Sequence, residues 1–200
     1  MGNSAVLPSA AVEGDADLVR LKAELEALRG QVEALTLRLA EAEILADRDV
    51  LTPLLNRRAF LREVQRAIAM ARRYDAPACV IYFDLDGFKQ INDSYGHAAG
   101  DAALIAVAEG LLAAVREEDI VGRLGGDEFA VLLQHVDAAG GIAKAQALRD
   151  AIAQETITSQ GHHFGIGMTF GVRQIGGADT AEQALAEADA AMYLRKPKRR

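Results

Sequence analysis

"GRLGGDEFAVLL", residues Gly122 to Leu133, reads as a strand, a tight turn and a second strand. Apolar residues alternate on both sides of the Gly125–Gly126 pair, the pattern of a hairpin with a buried face. The anomaly lies at the turn, where Asp127 and Glu128 stand side by side as the chain reverses. Adjacent carboxylates repel, and sheets disfavour acidic residues. Such a pair calls for concentrated positive charge, and the two glycines let a ligand approach the backbone closely.

A second acidic feature points to the same place. "ACVIYFD", Ala78–Asp84, is a β-branched and aromatic run that reads as a buried strand, and it leads into "DLDGFKQINDSYGHAAGD". Asp84 and Asp86 are two apart, so an extended backbone points both the same way while Leu85 points opposite. Carboxylates at a strand end, facing an acidic turn, suit Mg²⁺, a hard cation that takes oxygen ligands and substrate phosphates. Asp127 and Glu128 are therefore expected to face divalent ions shared with Asp84. The ordinary alternative for Asp-x-Asp is a solvated acidic turn.

Composition bounds the rest. The chain has 200 residues, 50% hydrophobic content and net charge −7, enough for one real core and wrong for a polyanion binder. No nucleic-acid partner is expected. The one cysteine, Cys79, lies in an apolar run, which excludes an internal disulfide and suggests a reducing compartment; zinc is improbable with one Cys and four His. The N-terminus "MGNSAVLPSAAVEG" has no basic segment before a long apolar one, so no signal peptide is expected, and Val6 argues against myristoylation. The longest apolar stretch, Ala102–Val115, is short and interrupted by Glu109, so no membrane span is expected and the location is read as cytoplasmic.

Residues 1–15 are small and polar and read as a disordered lead. Then Leu18, Leu21, Leu25, Leu28, Val32, Leu35, Leu39, Ala42 and Ala46 follow in steps of three and four, a heptad seam. Residues 16–48 are thus expected to form a parallel dimeric coiled coil, with Glu24 facing Arg29 and Arg38 facing Glu43 across the pair; a helix lying on its own domain is the alternative. Leu37, Ile44 and Leu51 make a second stripe, which either packs on the following domain or lets the helices rotate between two registers. Residues 49–200 alternate helical and strand patterns, giving helices over 57–74, 98–115, 141–154 and 180–196, the 120–133 hairpin and a strand over 165–174. The fold class is α+β with a sheet at least partly antiparallel.

Four segments together resemble a known family. "GGDEF" (Gly125–Phe129) is the naming signature of the GGDEF-domain diguanylate cyclases, and "DVLTPLLNRRAF" (Asp49–Phe60), "FDLDGFKQINDSYGHAAGD" (Phe83–Asp101) and "ADAAMYLRK" (Ala188–Lys196) resemble its other motifs in the same order. The resemblance covers about residues 48–200. It implies a five-stranded, palm-type, nucleotidyl cyclase-like sheet surrounded by helices, and condensation of two GTP into cyclic di-GMP with release of two pyrophosphates. It further implies two Mg²⁺ per GTP, with Mn²⁺ able to serve, held by Asp84, the Leu85 carbonyl, Asp127 and Glu128. Asp127 would also help activate the attacking 3′-hydroxyl. Asn92 and Asp101 would read the guanine edge, His97 would assist substrate binding, and Lys89, Lys196 and Arg200 would contact phosphates.

Arg116 and Asp119, five residues before the turn glycines, match the family's inhibitory R-x-x-D site for the product; in isolation they would be read as an i,i+3 ion pair. Two departures stand out. Pro53 replaces a small residue of the opening motif, and "RKPKRR" replaces the usual Ala-Lys and Gly-Arg-Asn ending, so the tail is either phosphate-binding or a solvated basic end. One domain holds one GTP, so the reaction needs two domains face to face, and the homodimeric coiled coil would raise their effective concentration. The activating signal is expected to arrive through the N-terminal helix, an unidentified regulatory partner or expression level. A catalytically silent nucleotide-binding module is the rival reading, and the retained acids disfavour it.

Overall fold

The computed structural model describes residues 10–196, apart from the side chains of residues 10–19, 23, 37 and 39–45. The N-terminal segment is one helix, α1 (Ala10–Asp47). It starts inside the stretch expected to be disordered, because Ala10, Ala11 and Glu13 are helix formers that continue the heptad segment backward; residues 1–9 lie outside the described residues. Leu21, Leu25, Leu28, Val32 and Leu35 are each at least half exposed in the single chain. Leu18, Leu39 and Ala42 of the same seam, and Leu37 and Ile44 of the second stripe, lie outside the described side chains. The chain divides into two compact units between Ala46 and Asp47.

In the second unit a five-stranded mixed sheet forms the frame. Its strands are β1 (Leu55–Asn56), β2 (Ala78–Asp86), β3 (Ile120–Gly125), β4 (Glu128–Gln134) and β7 (Gly167–Gln174), in the order β1-β3-β4-β2-β7. Only β1 and β3 run parallel; the other neighbours are antiparallel. β2 is buried on both faces, which is why its sequence is an unbroken apolar run rather than an alternation. Cys79, Ile81, Phe83 and Leu85 pack with α4 (His97–Ala114) and α5 (Ala138–Gln154). Ala78, Val80 and Tyr82 pack on the other side with α2 (Arg57–Tyr74) and α6 (Ala181–Tyr193). Asp84 and Asp86 continue this second face by strand alternation.

Several boundaries differ from the sequence reading for local reasons. β2 runs to Asp86 rather than Asp84, because Met168 and Gly167 of β7 supply ladder partners for its last two residues. α5 starts at Ala138, capped by the Asp137 side chain accepting from the Gly140 amide at 2.8 Å. α6 stops at Tyr193 rather than Lys196; Lys196 precedes Pro197, and the residue before a proline is disfavoured in the helical region. Three elements went unread: β1, the short helix α3 (Phe88–Tyr95), and a hairpin of β5 (Ile157–Ser159) with β6 (His162–Phe164). One helix among the described residues, α4, is long and apolar enough to cross a membrane, and its apolar side belongs to the domain core.

The opening motif is tied to the hairpin by one ion pair. Asp49 Oδ1 accepts from the Leu51 and Thr52 amides (3.2 and 2.9 Å), the Thr52 hydroxyl (2.8 Å) and Arg123 Nη1 (2.9 Å). Arg123 turns its Nε and Nη2 onto the Gly126 carbonyl at 3.1 and 2.7 Å. Burial pushes the Asp49 carboxyl up, but the hydrogen bonds from Arg123 and Thr52 outweigh it and hold the group below its usual range. The side chains of Arg123 and Asp49 are only 12% and 16% exposed, so screening by solvent is small. Arg123→Ala is therefore expected to cost about 3–5 kcal/mol in urea unfolding, the range for stranding a buried partner. Arg123→Lys should recover only part, since one ammonium cannot reproduce the planar fork; an unchanged midpoint for Arg123→Ala would remove this pair from the stability account.

Candidate active site

Asp84, near the end of β2, is paired with Glu128 of β4 on one side and with Thr169 of β7 on the other. All three stand in one row across the sheet, on the face carrying Tyr82. Asp84 is only 8% exposed, so its charge needs an answer. Lys196, just past α6, supplies it with Nζ 2.5 Å from Asp84 Oδ1. Glu128 faces the Tyr82 hydroxyl, whose proton affinity is pushed far up by burial first and by the Glu128 charge second. Asp86 accepts from Thr169 Oγ1 at 2.8 Å. The acid row is thus partly self-satisfied, with Asp84 as the member that meets a full cation.

Asp127 reaches the same point from the turn. The turn is held onto the strand end by the Leu85 amide donating to the Asp127 carbonyl at 3.2 Å, and Gly126 adopts φ 47° to make the reversal. Burial raises the Asp127 carboxyl above its usual range, and the Asp84 charge adds to the shift, against lowering by Lys196 and Arg123. A carboxyl of raised proton affinity, beside a second carboxylate and a lysine, is chemically suited to accept a proton. The donors here are hard oxygens, which fit Mg²⁺ or Mn²⁺. Among the described residues no three His, Cys, Asp or Glu side chains gather closely enough to hold an ion by themselves. An ion here would complete its shell with oxygens from a phosphate ligand and water.

α3 leaves the acid end of β2 through Gly87 and carries Lys89 exposed and Asn92 half buried. Asn92 lies against α4 at Gly100: a Cβ built there would stand 2.1 Å from Asn92 Oδ1. Only glycine allows this approach, and it brings the Asn92 amide beside the helical turn that carries Asp101. Asp101 and His97 are exposed on the first turns of α4. Arg200 lies outside the described residues.

Arg116 and Asp119 lie elsewhere, at the base of the β3–β4 hairpin. From Asp119 to Gly125 the strand spans about 20 Å. The simple i,i+3 ion pair is not what forms. Asp119 accepts from the Arg116 and Gln134 amides at 3.1 and 3.2 Å, while the exposed Arg116 guanidinium sits 3.7 Å from Glu118. Arg116, Asp119, Leu133, Val136, Gly140 and Lys144 line a cavity of about 250 Å³. A larger hollow of about 730 Å³, beside Arg72, Arg73 and Gly177, is lined by none of the acids discussed here. Two residues of the acid site escaped the sequence reading. Arg123 was findable as the single basic residue between Ile120 and Gln134; Tyr82 was hidden inside an apolar strand.

The family model "Diguanylate cyclase, GGDEF domain" matches residues 46–200. The bifunctional diguanylate cyclase/cyclic di-GMP phosphodiesterase MucR of Pseudomonas aeruginosa is 40% identical over 179 residues, 88% of this chain and 26% of that protein. Diguanylate cyclase TpbB of the same species is 35% identical over 189 residues, 92% of this chain and 43% of that protein. The chain thus spans between about a quarter and less than half of those two relatives. A crystal structure of the coiled coil and GGDEF domain of DgcB from Caulobacter crescentus, in complex with c-di-GMP, superposes with TM-score 0.77 at 27% identity, covering 86% of this chain and 92% of that one. With the family model matching residues 46–200 and a relative 40% identical over 88% of this chain, the chain belongs to the GGDEF-domain diguanylate cyclase family.

Proposed function

We propose that this chain condenses two GTP into cyclic di-GMP with release of two pyrophosphates. The observation that carries the reading is the convergence of Asp84 and Asp127 on Lys196 at the end of β2. Mg²⁺, two ions per GTP with Mn²⁺ able to replace them, would be held by Asp84, the Leu85 carbonyl, Asp127 and Glu128 and would neutralise charge on the triphosphate. Asp127, sharing the metals, would also help activate the attacking 3′-hydroxyl. Lys196 transfers its ammonium from Asp84 to phosphate oxygens, and Lys89 and Arg200 add positive charge at the terminal phosphates. Asn92 offers an amide donor and acceptor to guanine, Asp101 accepts from its N1–H and N2–H₂, and His97 borders the bound substrate.

One domain has one set of these groups, so two must meet face to face. The exposed leucine and valine seam of α1 supports a parallel homodimeric coiled coil over residues 16–48 as the device that brings the domains 49–200 together. Product would bind at Arg116 and Asp119 and inhibit. A relative crystallised as coiled coil plus GGDEF domain with c-di-GMP makes both assignments reasonable for this chain. We place the enzyme in the cytoplasm, open to a regulatory partner.

Incubating the protein with GTP and Mg²⁺ and identifying the product by mass spectrometry tests the reading; a protein that leaves GTP unchanged, or cyclises ATP equally well, overturns it. Asp127→Asn should abolish turnover. The same substitution should raise the melting temperature of the nucleotide-free protein near pH 7, by about 1–3 °C. The sign follows from linkage. A carboxyl whose folded pKa is raised opposes folding once pH exceeds its unfolded value near 4, and the penalty is complete above the folded value. The gain should accordingly vanish in acid, as measured by thermal unfolding across pH. Arg116→Ala should keep the initial rate and weaken feedback about tenfold or more; an inhibition curve superposable on the parent's would dismiss the R-x-x-D assignment.

A further inference from the structure

α3 is an eight-residue helix suspended between Gly87 (φ 73°) and Gly96 (φ 84°). An isolated helix of that length is unstable, so its orientation must come from contacts. It has one buried side chain, Ile91, and Phe88 is partly buried against the same core. Both anchors lie toward its start or middle. The last turn, just beyond Asn92, needs its own restraint, because Gly96 gives the backbone freedom there.

Tyr95 supplies the restraint. Its ring stacks on Phe164, with centroids 5.2 Å apart and planes 9° from parallel, and meets His162 at 5.2 Å and 44°. Both partners belong to β6, on the small hairpin that stands outside the main sheet. That hairpin is itself well fixed. Its two-residue turn places Gln160 and Gly161 at φ 50° and 82°, the geometry that matches strand twist. Thr158 Oγ1 and His163 Nδ1 are 2.9 Å apart across it, Ile157 is buried in the main core and Phe164 packs against that core.

We propose that Tyr95 is a positioning residue for guanine recognition, and that the β5–β6 hairpin exists in part to hold it. Stacked on Phe164, Tyr95 fixes the end of α3, and so holds the Asn92 amide against Gly100 beside Asp101. This rests on the guanine-reading role given to Asn92 and Asp101 above. Tyr95 touches no substrate; it acts through the placement of Asn92. The stack is parallel and apolar in character, so the ring and not the hydroxyl carries the effect.

Two measurements on the full chain separate this inference from the reading beneath it. Hydrogen exchange on nucleotide-free protein should show the amides of Gly96, Ala99 and Gly100 exchanging ~5-fold faster or more in Tyr95→Ala, with β2 and β4 unchanged and Tyr95→Phe like the parent. Titration with a fluorescent GTP analogue should show affinity falling ~5- to 10-fold in Tyr95→Ala and held within about twofold in Tyr95→Phe. In turnover the loss should fall on KM with kcat nearly kept, and inhibition by cyclic di-GMP should be unaltered. Unchanged exchange, or a Tyr95→Ala protein that keeps GTP affinity, overturns the inference. A parent protein that binds no GTP overturns the guanine reading instead, while the exchange arm still decides the brace. Should Tyr95→Ala fail to fold, Phe164→Leu removes the stack from the other side, and the same two readouts apply.

Discussion

Negative charge crowded at the end of one buried strand is the constraint around which this domain is organised. Asp84 sits in the ladder with almost no solvent, opposite Glu128 and near Asp127. Water cannot relieve the repulsion, so protein groups must. Lys196 arrives from 112 residues away to meet Asp84, and Arg123 fixes the turn that carries Asp127. Arg123 is committed in turn to Asp49, 74 residues away. These long-range pairings join the first motif of the domain to the β3–β4 hairpin and the last motif to the end of β2, and a packed sheet between two helical layers makes them rigid.

The cost of this arrangement is visible in how each acid is handled. Asp86 takes the Thr169 hydroxyl and Asp84 takes a full positive charge, while Glu128 faces the Tyr82 hydroxyl. Asp127 is left with its proton affinity raised, by burial first and by Asp84 second. Such a group opposes folding, and groups of raised proton affinity in a cleft cluster at functional sites rather than at structural ones. Lys196 reaches Asp84 on a flexible stem, which suits the phosphate contact proposed for it as well.

How much of this could be read beforehand depended on what the local sequence alone decides. α2 was legible end to end, because Asn56 caps its start and its apolar face has clean helical spacing. β2 was legible as a double-buried run, and the acid turn declared itself by chemistry. α3 was not, because a helix of eight residues shows barely two turns of periodicity and its anchors come from distant elements. β1 is two residues long and exists only because β3 lies beside it. Ser159–His162 gave only a lone glycine as a turn signal, with the positive φ of Gln160 set by context. Among candidate site residues, Asp84 and Asp127 do converge, and Asn92 packs against the glycine that precedes Asp101. Arg123 stood out as the single basic residue of the hairpin, but its pairing with Asp49 was hidden because an ion pair across 74 residues leaves no local pattern.

The two proposed sites share one hairpin, and that limits how one can influence the other. The acids cluster at its turn, while Asp119 at its base receives the Gln134 amide at the far end of β4. β4 is paired in register along its length to β2, and is buried from Phe129 to Leu133. A ligand at the base could move the turn only by shearing that ladder, which would break several hydrogen bonds and expose core. Inhibition of the kind proposed at Arg116 and Asp119 would therefore have to act on whole domains rather than by distorting the acid turn. If the proposed reaction between two apposed domains holds, keeping them apart would suffice, and nothing inside the rigid sheet would have to change.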